Sequence, residues 1–123
     1  MMNARSSYTA RQRTCIGRLI VRPMPDWTDE AIHWARRNES IWELWLLGSD
    51  AEGADTVTIG VALAPAGGDH SRALGDFSLL DARWRSELRT ITGRRVRLEP
   101  MVPGYPGDRT IRSGGTCLWV RAA

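Results

Sequence analysis

The chain has 123 residues, of which 17 are basic and 14 are acidic, and its formal net charge is +3. A chain of this length forms one domain around one modest hydrophobic core. No apolar run approaches the roughly 20 residues of a membrane-spanning helix. We therefore expect a protein without membrane association, located in the cytoplasm.

The positive charge is concentrated at the N-terminus. Residues 1–25 contain five arginines and no acid, whereas acids outnumber arginines in the remainder of the chain. Such a segment is typical of a solvated tail, of an arm that binds nucleic acid or an acidic partner, or of a targeting peptide. We divide the chain into a basic, partly disordered segment at 1–25 and a domain at 26–123. The arginines of the segment are Arg5, Arg11, Arg13, Arg18 and Arg22.

The two cysteines, Cys15 and Cys117, are distant in sequence and show no metal-binding spacing such as C-x-x-C. Cytosolic proteins seldom keep disulfides. We therefore expect two reduced thiols.

The first predicted element is a helix at about 28–38. Thr28 is a suitable N-cap, and Asp29 and Glu30 suit the positive end of the helix dipole. The next stretch, 41–47, is apolar on nearly both faces, which is typical of a central strand covered on both sides.

A second strand is predicted at 57–64, and its two sides differ in size. Odd positions carry large apolar side chains, whereas Thr58, Gly60 and Ala62 are small. The large side should face a helical core. The small side should face something close, either a ligand cleft or a neighbouring segment.

A long helix at 78–92 follows, with Gly93 at its C-terminal end. A third strand at 95–102 and a helical turn at 111–113 precede the last strand, at 116–121. In that strand, alternation places Cys117 and Trp119 on one side and Leu118 and Val120 on the other. This order predicts an α+β domain in which a mixed sheet of about four strands has helices packed on one face.

Four segments, taken in order, resemble minimal nucleotidyltransferase domains of the polymerase-beta-like superfamily. The resemblance covers about residues 28–120. It is carried by a strand that ends in Gly-Ser, a second strand, a helix that leads into a third strand, and a C-terminal end; these are Ile41–Ser49, Thr58–Leu63, Ser78–Leu98 and Ile111–Gly114 with the closing strand.

The resemblance implies two Mg²⁺ ions held by acids on adjacent strands and a nucleoside triphosphate as substrate. Thr58, Gly60 and Arg97 stand where the three acids would be. A hydroxyl is a feeble Mg²⁺ ligand and glycine has no side chain. A guanidinium about 4 Å away would repel each charge of the ion by roughly 4 kcal/mol. We therefore expect vestigial metal-site positions, no catalytic residue and no cofactor.

The Gly-Ser turn has two interpretations. Gly48 and Ser49 could still present backbone N–H groups to a nucleotide phosphate at a helix start. However, two acids follow, and Ser49 with Glu52 also fits a capping box. Residual nucleotide binding and simple helix capping are both open.

Other residues offer weak substitutes for the missing acids. Glu99 shares a strand face with Arg97 and is expected to pair with Arg97 or Arg95. Asp55 is interpreted as a solvated turn residue. His33 and His70 lack a nucleophilic partner at any recognisable spacing and are interpreted as ordinary surface or loop residues.

The first functional hypothesis is a catalytically inactive, nucleotidyltransferase-like interaction or regulatory module. The resemblance implies a small helical protein as partner, in an antitoxin-like role, and a second copy of the chain is a further candidate. Six tryptophans exceed the need of a small core, so one or two are expected at an interface. The alternatives are a nucleotidyltransferase with a non-standard metal site, dependent on Mg²⁺ and ATP, and nucleic-acid binding through the arginine-rich arm.

Overall fold

The computed structural model describes residues 24–47 and 55–122. Three helices and four strands lie within these ranges, and the helices are interspersed among the strands along the chain. They are α1 (Thr28–Arg37), β1 (Glu43–Leu47), β2 (Thr56–Ala62), α2 (Ala73–Thr92), β3 (Arg95–Pro100), α3 (Pro106–Gly114) and β4 (Gly115–Val120).

The four strands form one sheet in the order β3-β2-β1-β4. Strand β1 is antiparallel to both β2 and β4, whereas β2 and β3 run parallel. The parallel pair is possible because α2 carries the chain back along the sheet between the two strands. The predicted α+β fold with a mixed four-stranded sheet is confirmed.

The sheet has a different cover on each face. Helices α1 and α2 pack on one face, over a core that includes Leu44, Ile59 and Val61. Helix α3 packs on the other face, where Ile111 joins Trp45, Ala62, Met101 and Cys117. The expectation of helices on one face therefore holds for α1 and α2 only. The sequence indicated a single turn at 111–113, but Pro106 starts a nine-residue helix, which is long enough to cover the sheet.

The size alternation of β2 has the predicted consequence. Its large residues Val57, Ile59 and Val61 lie in the core shared with α1 and α2. Its small residues face Met101 and α3, because Ala62 belongs to the second cluster and Gly60 lies directly beneath Met101 and Ile111. The neighbour of the small side is therefore a protein segment.

Helix boundaries differ slightly from the predicted ones. Thr28 is the first residue of α1, and its hydroxyl donates to the carbonyl of Pro25 at 2.7 Å, so it does not act as the N-cap. Helix α2 begins at Ala73, earlier than predicted, because buried Ala73 extends the apolar stripe by one turn. Gly93 ends α2 with φ of 72°, the left-handed conformation predicted for it.

Strand β4 contains a bulge that the alternation did not reveal. Leu44 lies opposite Trp119, yet the next residue, Trp45, lies opposite Cys117. Leu118 is thus the extra residue, and one extra residue switches the face of everything beyond it. Cys117 joins the α3 side and Trp119 joins the α1–α2 side, so the prediction that they share a face is wrong.

The junction of α1 and α2 is built from tryptophans. The rings of Trp34 and Trp84 meet edge to face, with centroids 5.8 Å apart. Trp34 Nε1 donates to Glu87 Oε1 at 2.8 Å, and Trp84 Nε1 donates to Asn38 Oδ1 at 3.2 Å. Five of the six tryptophans are buried and Trp42 is half-buried, so none offers the exposed ring expected at an interface.

Cys117 is fully buried on β4 and is disulfide-bonded. The expectation of a reduced thiol is therefore wrong at this position. The other cysteine of the chain, Cys15, lies outside the described residues, as do all five arginines of the predicted arm.

None of the helices within the described ranges has the length and apolar character needed to cross a bilayer.

Arg121 closes the end of α1. Its Nε donates to the carbonyl of Ile41 at 2.8 Å, and one Nη donates to the carbonyls of Ala35 and Asn38 at 3.1 and 2.9 Å. The same guanidinium lies 4.9 Å from the ring centroid of Trp119. A cation suits this place because the carbonyls at the end of a helix lack intrahelical partners and carry partial negative charge.

We expect Arg121→Ala to lower the free energy of unfolding by roughly 3 kcal/mol, because several carbonyls and a tryptophan face lose one shared partner. Arg121→Lys should have a free energy of unfolding between those of the unmodified chain and Arg121→Ala, since an ammonium lacks the planar fork of a guanidinium. Arg37→Ala, an exposed position on α1, is the control and should change stability by less than about 0.5 kcal/mol. Urea unfolding followed by tryptophan fluorescence measures all three; equal effects of Arg121→Ala and Arg37→Ala would contradict this role.

Candidate functional site

The predicted metal-site positions lie side by side on adjacent strands. Thr58 of β2 is in register with Arg97 of the parallel strand β3, and Gly60 is in register with Glu99. Residues two apart on a strand share a face. Thr58, Gly60, Arg97 and Glu99 therefore lie together on the face that α3 covers.

The position of Gly60 has no space for a side chain. A Cβ atom built on Gly60 would lie 2.8 Å from Met101 Sδ and 2.9 Å from Ile111 Cδ1, closer than real Cβ contacts. Met101 and Ile111 are themselves fully buried. The resemblance puts an acid at this position. The space is instead filled by Met101, which directly follows β3, and by Ile111 of α3.

Arg97 and Glu99 form an ion pair at the edge of this face. Arg97 Nε lies 3.4 Å from Glu99 Oε2, and the Arg97 side chain is 71% exposed. The prediction that Glu99 pairs with an arginine is confirmed. A pair this exposed contributes little to stability, but it holds a positive charge beside Thr58 and directs the nearest carboxylate toward that charge.

The remaining candidates do not join this group. Gly48 and Ser49 lie outside the described residues, so the phosphate turn stays a prediction. Asp55 is exposed, as expected of a turn residue, and its carbonyl accepts the backbone N–H of Arg95 at 3.0 Å. His33 is exposed on α1, and His70 is half-buried in a loop. Within 24–47 and 55–122, no three His, Cys, Asp or Glu side chains cluster in a way that could hold a metal ion.

The structure brings together a charged cluster that the sequence analysis did not predict, which we call the Arg112 cluster (Glu43, Asp108, Arg112). Arg112 Nη1 donates to Glu43 Oε1 at 3.1 Å, and Arg112 Nε donates to Asp108 Oδ1 at 2.9 Å. Glu43 is only 5% exposed and Asp108 only 9%. One guanidinium therefore serves two buried carboxylates and ties α3 to β1.

Trp45 completes the surroundings of the Arg112 cluster. Its Nε1 donates to Glu43 Oε1 at 2.8 Å, and the Arg112 guanidinium lies 5.5 Å from its ring centroid. Burial alone would lower the pKa of Arg112, but hydrogen bonds and charges from Glu43 and Asp108 outweigh it and raise that pKa above its ordinary value. The cation is thus firmly held between its two acceptors.

A shallow cavity of about 390 Å³ opens beside the Arg112 cluster, along one side of α3. Arg112 already neutralises Asp108, and Tyr105 and Arg109 present a phenol and a guanidinium to solvent. Because both buried carboxylates are hydrogen-bonded to Arg112, the cluster offers no free general base, and its arrangement is that of a structural tie. The cavity is lined by Gly104, Tyr105, Asp108, Arg109, Arg112 and Ser113.

One sequence signal for this cluster was available. Glu43 is the only charged residue in the apolar stretch 41–47, and a carboxylate on a doubly covered strand requires a partner. The identity of the partner was not accessible, because Arg112 lies 69 residues away and reaches Glu43 only through the packing of α3.

No family model, curated protein or solved structure matches this chain. Any functional assignment is therefore a proposal, based on the geometry of the described residues and on the sequence resemblance.

We expect Gly60→Ala to destabilise the fold by about 1–3 kcal/mol, because the added methyl overlaps Met101 and Ile111. Gly75→Ala is the matched control, since nothing lies within 4 Å of a Cβ at that helical position. It should stabilise by about 0.5–1 kcal/mol. Thermal unfolding at micromolar protein concentration measures both variants, and a neutral Gly60→Ala would show that this face is not closely packed.

The Arg112 cluster should behave as one unit. We expect Arg112→Ala to destabilise by about 2–4 kcal/mol, because two buried carboxylates lose their cation. In the double variant with Glu43→Gln, part of that loss should disappear, giving a coupling on the order of 1–3 kcal/mol. A double-mutant cycle in urea provides the measurement; purely additive effects would mean that the ion pair is energetically irrelevant.

Proposed function

We propose that this chain is a catalytically inactive, nucleotidyltransferase-like domain that acts as a protein-interaction or regulatory module. The observation that carries the proposal is the filled face of β2, where Met101 and Ile111 occupy the space over Gly60. A nucleotidyl-transfer site needs that space for carboxylates, two metal ions and a triphosphate.

The strand arrangement supports the nucleotidyltransferase-like part of the proposal. In the resemblance, the metal-binding acids belong to adjacent strands. Strands β2 and β3 are adjacent and parallel, and their register sets Thr58 beside Arg97. Positions widely separated in the chain thus lie side by side, which supports the resemblance.

The charges at this place support the loss of metal-dependent catalysis. Thr58 carries no charge and Arg97 carries a positive one. The nearest acid, Glu99, is 3.4 Å from Arg97 and neutralises it. A divalent cation placed between β2 and β3 would meet a guanidinium and no free carboxylate, and hard cations of this kind bind through oxygen anions.

A small helical protein is the proposed partner, as the resemblance implies. A cytoplasmic location remains part of the proposal only as an expectation from the sequence. The disulfide at Cys117 is evidence on the other side, since structural disulfides are more common in oxidising compartments.

Isothermal titration with Mg²⁺ and ATP, together with a nucleotide-transfer assay in Mg²⁺ and in Mn²⁺, tests the loss of catalysis. We expect neither binding heat nor transfer. Arg97→Ala is a matched variant: it removes the repelling charge and leaves Glu99 without its arginine partner. One carboxylate does not replace the acids that hold two metal ions, so this variant too should bind no metal–nucleotide complex. Metal-dependent nucleotide binding or transfer by the unmodified chain would overturn the proposal and favour the enzyme hypothesis.

The interaction role is tested separately by co-expression with each small helical protein that the neighbouring genes are found to encode. A stoichiometric complex that survives size-exclusion chromatography is expected. Salt-sensitive nucleic-acid binding that is lost on deletion of residues 1–22, with no protein complex, would instead favour the nucleic-acid hypothesis.

A further inference from the structure

The outer face of α2 is uncovered, and Arg89 in the last turn is the charged residue that follows its row of small and apolar residues. Helix α2 buries one side against the sheet through Ala73, Trp84 and Leu88. On the opposite side, Leu79 is 83% exposed, the most exposed large apolar side chain of the described residues. Helical spacing places it in a row with three other exposed residues. We call this row the Leu79 face: Gly75, Leu79, Ala82 and Ser86.

Polar groups beside the Leu79 face are directed to the helix itself. The hydroxyl of Ser78 donates to the carbonyl of Leu74 at 3.0 Å, and that of Thr90 donates to the carbonyl of Ser86 at 3.3 Å. Four charged side chains of the flanks form two ion pairs within α2, Arg85 with Asp81 and Arg83 with Glu87. The face itself therefore presents a leucine between small residues, with charges along its sides and at Arg89 beyond its C-terminal end.

The charges along one side of the Leu79 face are self-complementary. Asp76 and Arg83 are seven residues apart, which is two helical turns, so they lie on the same flank. If a second α2 runs antiparallel, with the two-fold axis level with Leu79 and Leu80, Asp76 of each copy lies level with Arg83 of the other. Asp76 forms no salt bridge with the described residues, and the Arg83 side chain is 61% exposed.

We propose that the Leu79 face is a self-association surface, on which α2 of a second copy packs antiparallel. Leu79 of each copy then lies against Leu79 of the other, and the small residues Gly75 and Ala82 on either side allow close approach of the helices. The symmetric contact is isologous, so one set of residues supplies both halves, and two Asp76–Arg83 pairs flank its centre.

The size of this surface sets the expected affinity of the dimer. One exposed helix face on each partner buries less area than a standard stable interface. We therefore expect a reversible dimer with a dissociation constant on the order of 0.1 mM. This inference is independent of the proposed function, because self-association requires neither loss of catalysis nor a heterologous partner.

Sedimentation equilibrium of the full chain between about 10 µM and 1 mM provides the first test. We expect the weight-average mass of the unmodified chain to rise with concentration toward that of a dimer. Leu79→Glu should weaken association by at least tenfold, because it places two carboxylates at the symmetry axis. His33→Glu, which adds the same charge at an exposed position of α1, should leave association unchanged. A chain that is monomeric at every concentration overturns the inference.

Charge exchange identifies the orientation of the contact. Asp76→Arg alone and Arg83→Asp alone should each weaken the dimer, because each sets like charges level with one another. The double variant Asp76→Arg, Arg83→Asp should regain most of the affinity. Circular dichroism at 10 µM verifies that all variants are folded. Absence of recovery in a folded double variant, or a dimer insensitive to Leu79→Glu, rules out this face and register.

Discussion

A single glycine in the middle of β2 lets apolar side chains lie directly on the backbone of the sheet. Met101 and Ile111 approach Gly60 so closely that even a methyl group would collide with them. This contact anchors α3 to the second face of the sheet and closes the space between β2, β3 and α3. The close packing of that face at this point follows from one position without a side chain.

The two faces of the sheet use different means of stabilisation. On the α1–α2 face, large aliphatic residues and tryptophans form an extended apolar core, and Arg121 closes the end of α1 over Trp119. The α3 face has a smaller apolar cluster and adds the Arg112 cluster at its edge. A short helix with one large buried apolar residue has limited area to bury. The charged tie between Arg112 and Glu43 supplements that area and defines where α3 sits.

The proposed function combines these observations with the resemblance of four ordered sequence segments to nucleotidyltransferase domains. Strand β2 runs parallel to β3 and places Thr58 beside Arg97, which is the relation that the resemblance to nucleotidyltransferase domains requires. Thr58 carries no charge and Arg97 carries a positive one, so neither replaces a metal-binding acid. The space over the neighbouring Gly60 is filled by Met101 and Ile111. Under the proposed function the domain acts through its surfaces, and the outer face of α2, where Leu79 is exposed, is one of them.

Local patterns in the sequence determined the elements and the class of fold. Alternation of large and small residues in β2, the apolar row of α2 and the terminal Gly93 each depend on neighbours a few residues away, so they can be read from the chain. The bulge at Leu118, the face covered by α3, and the pairing of Glu43 with Arg112 depend on contacts between distant residues. Only the tertiary structure decided these, because a change of one residue in register or a helix extended by one turn alters which side chains meet, with no change in the local pattern.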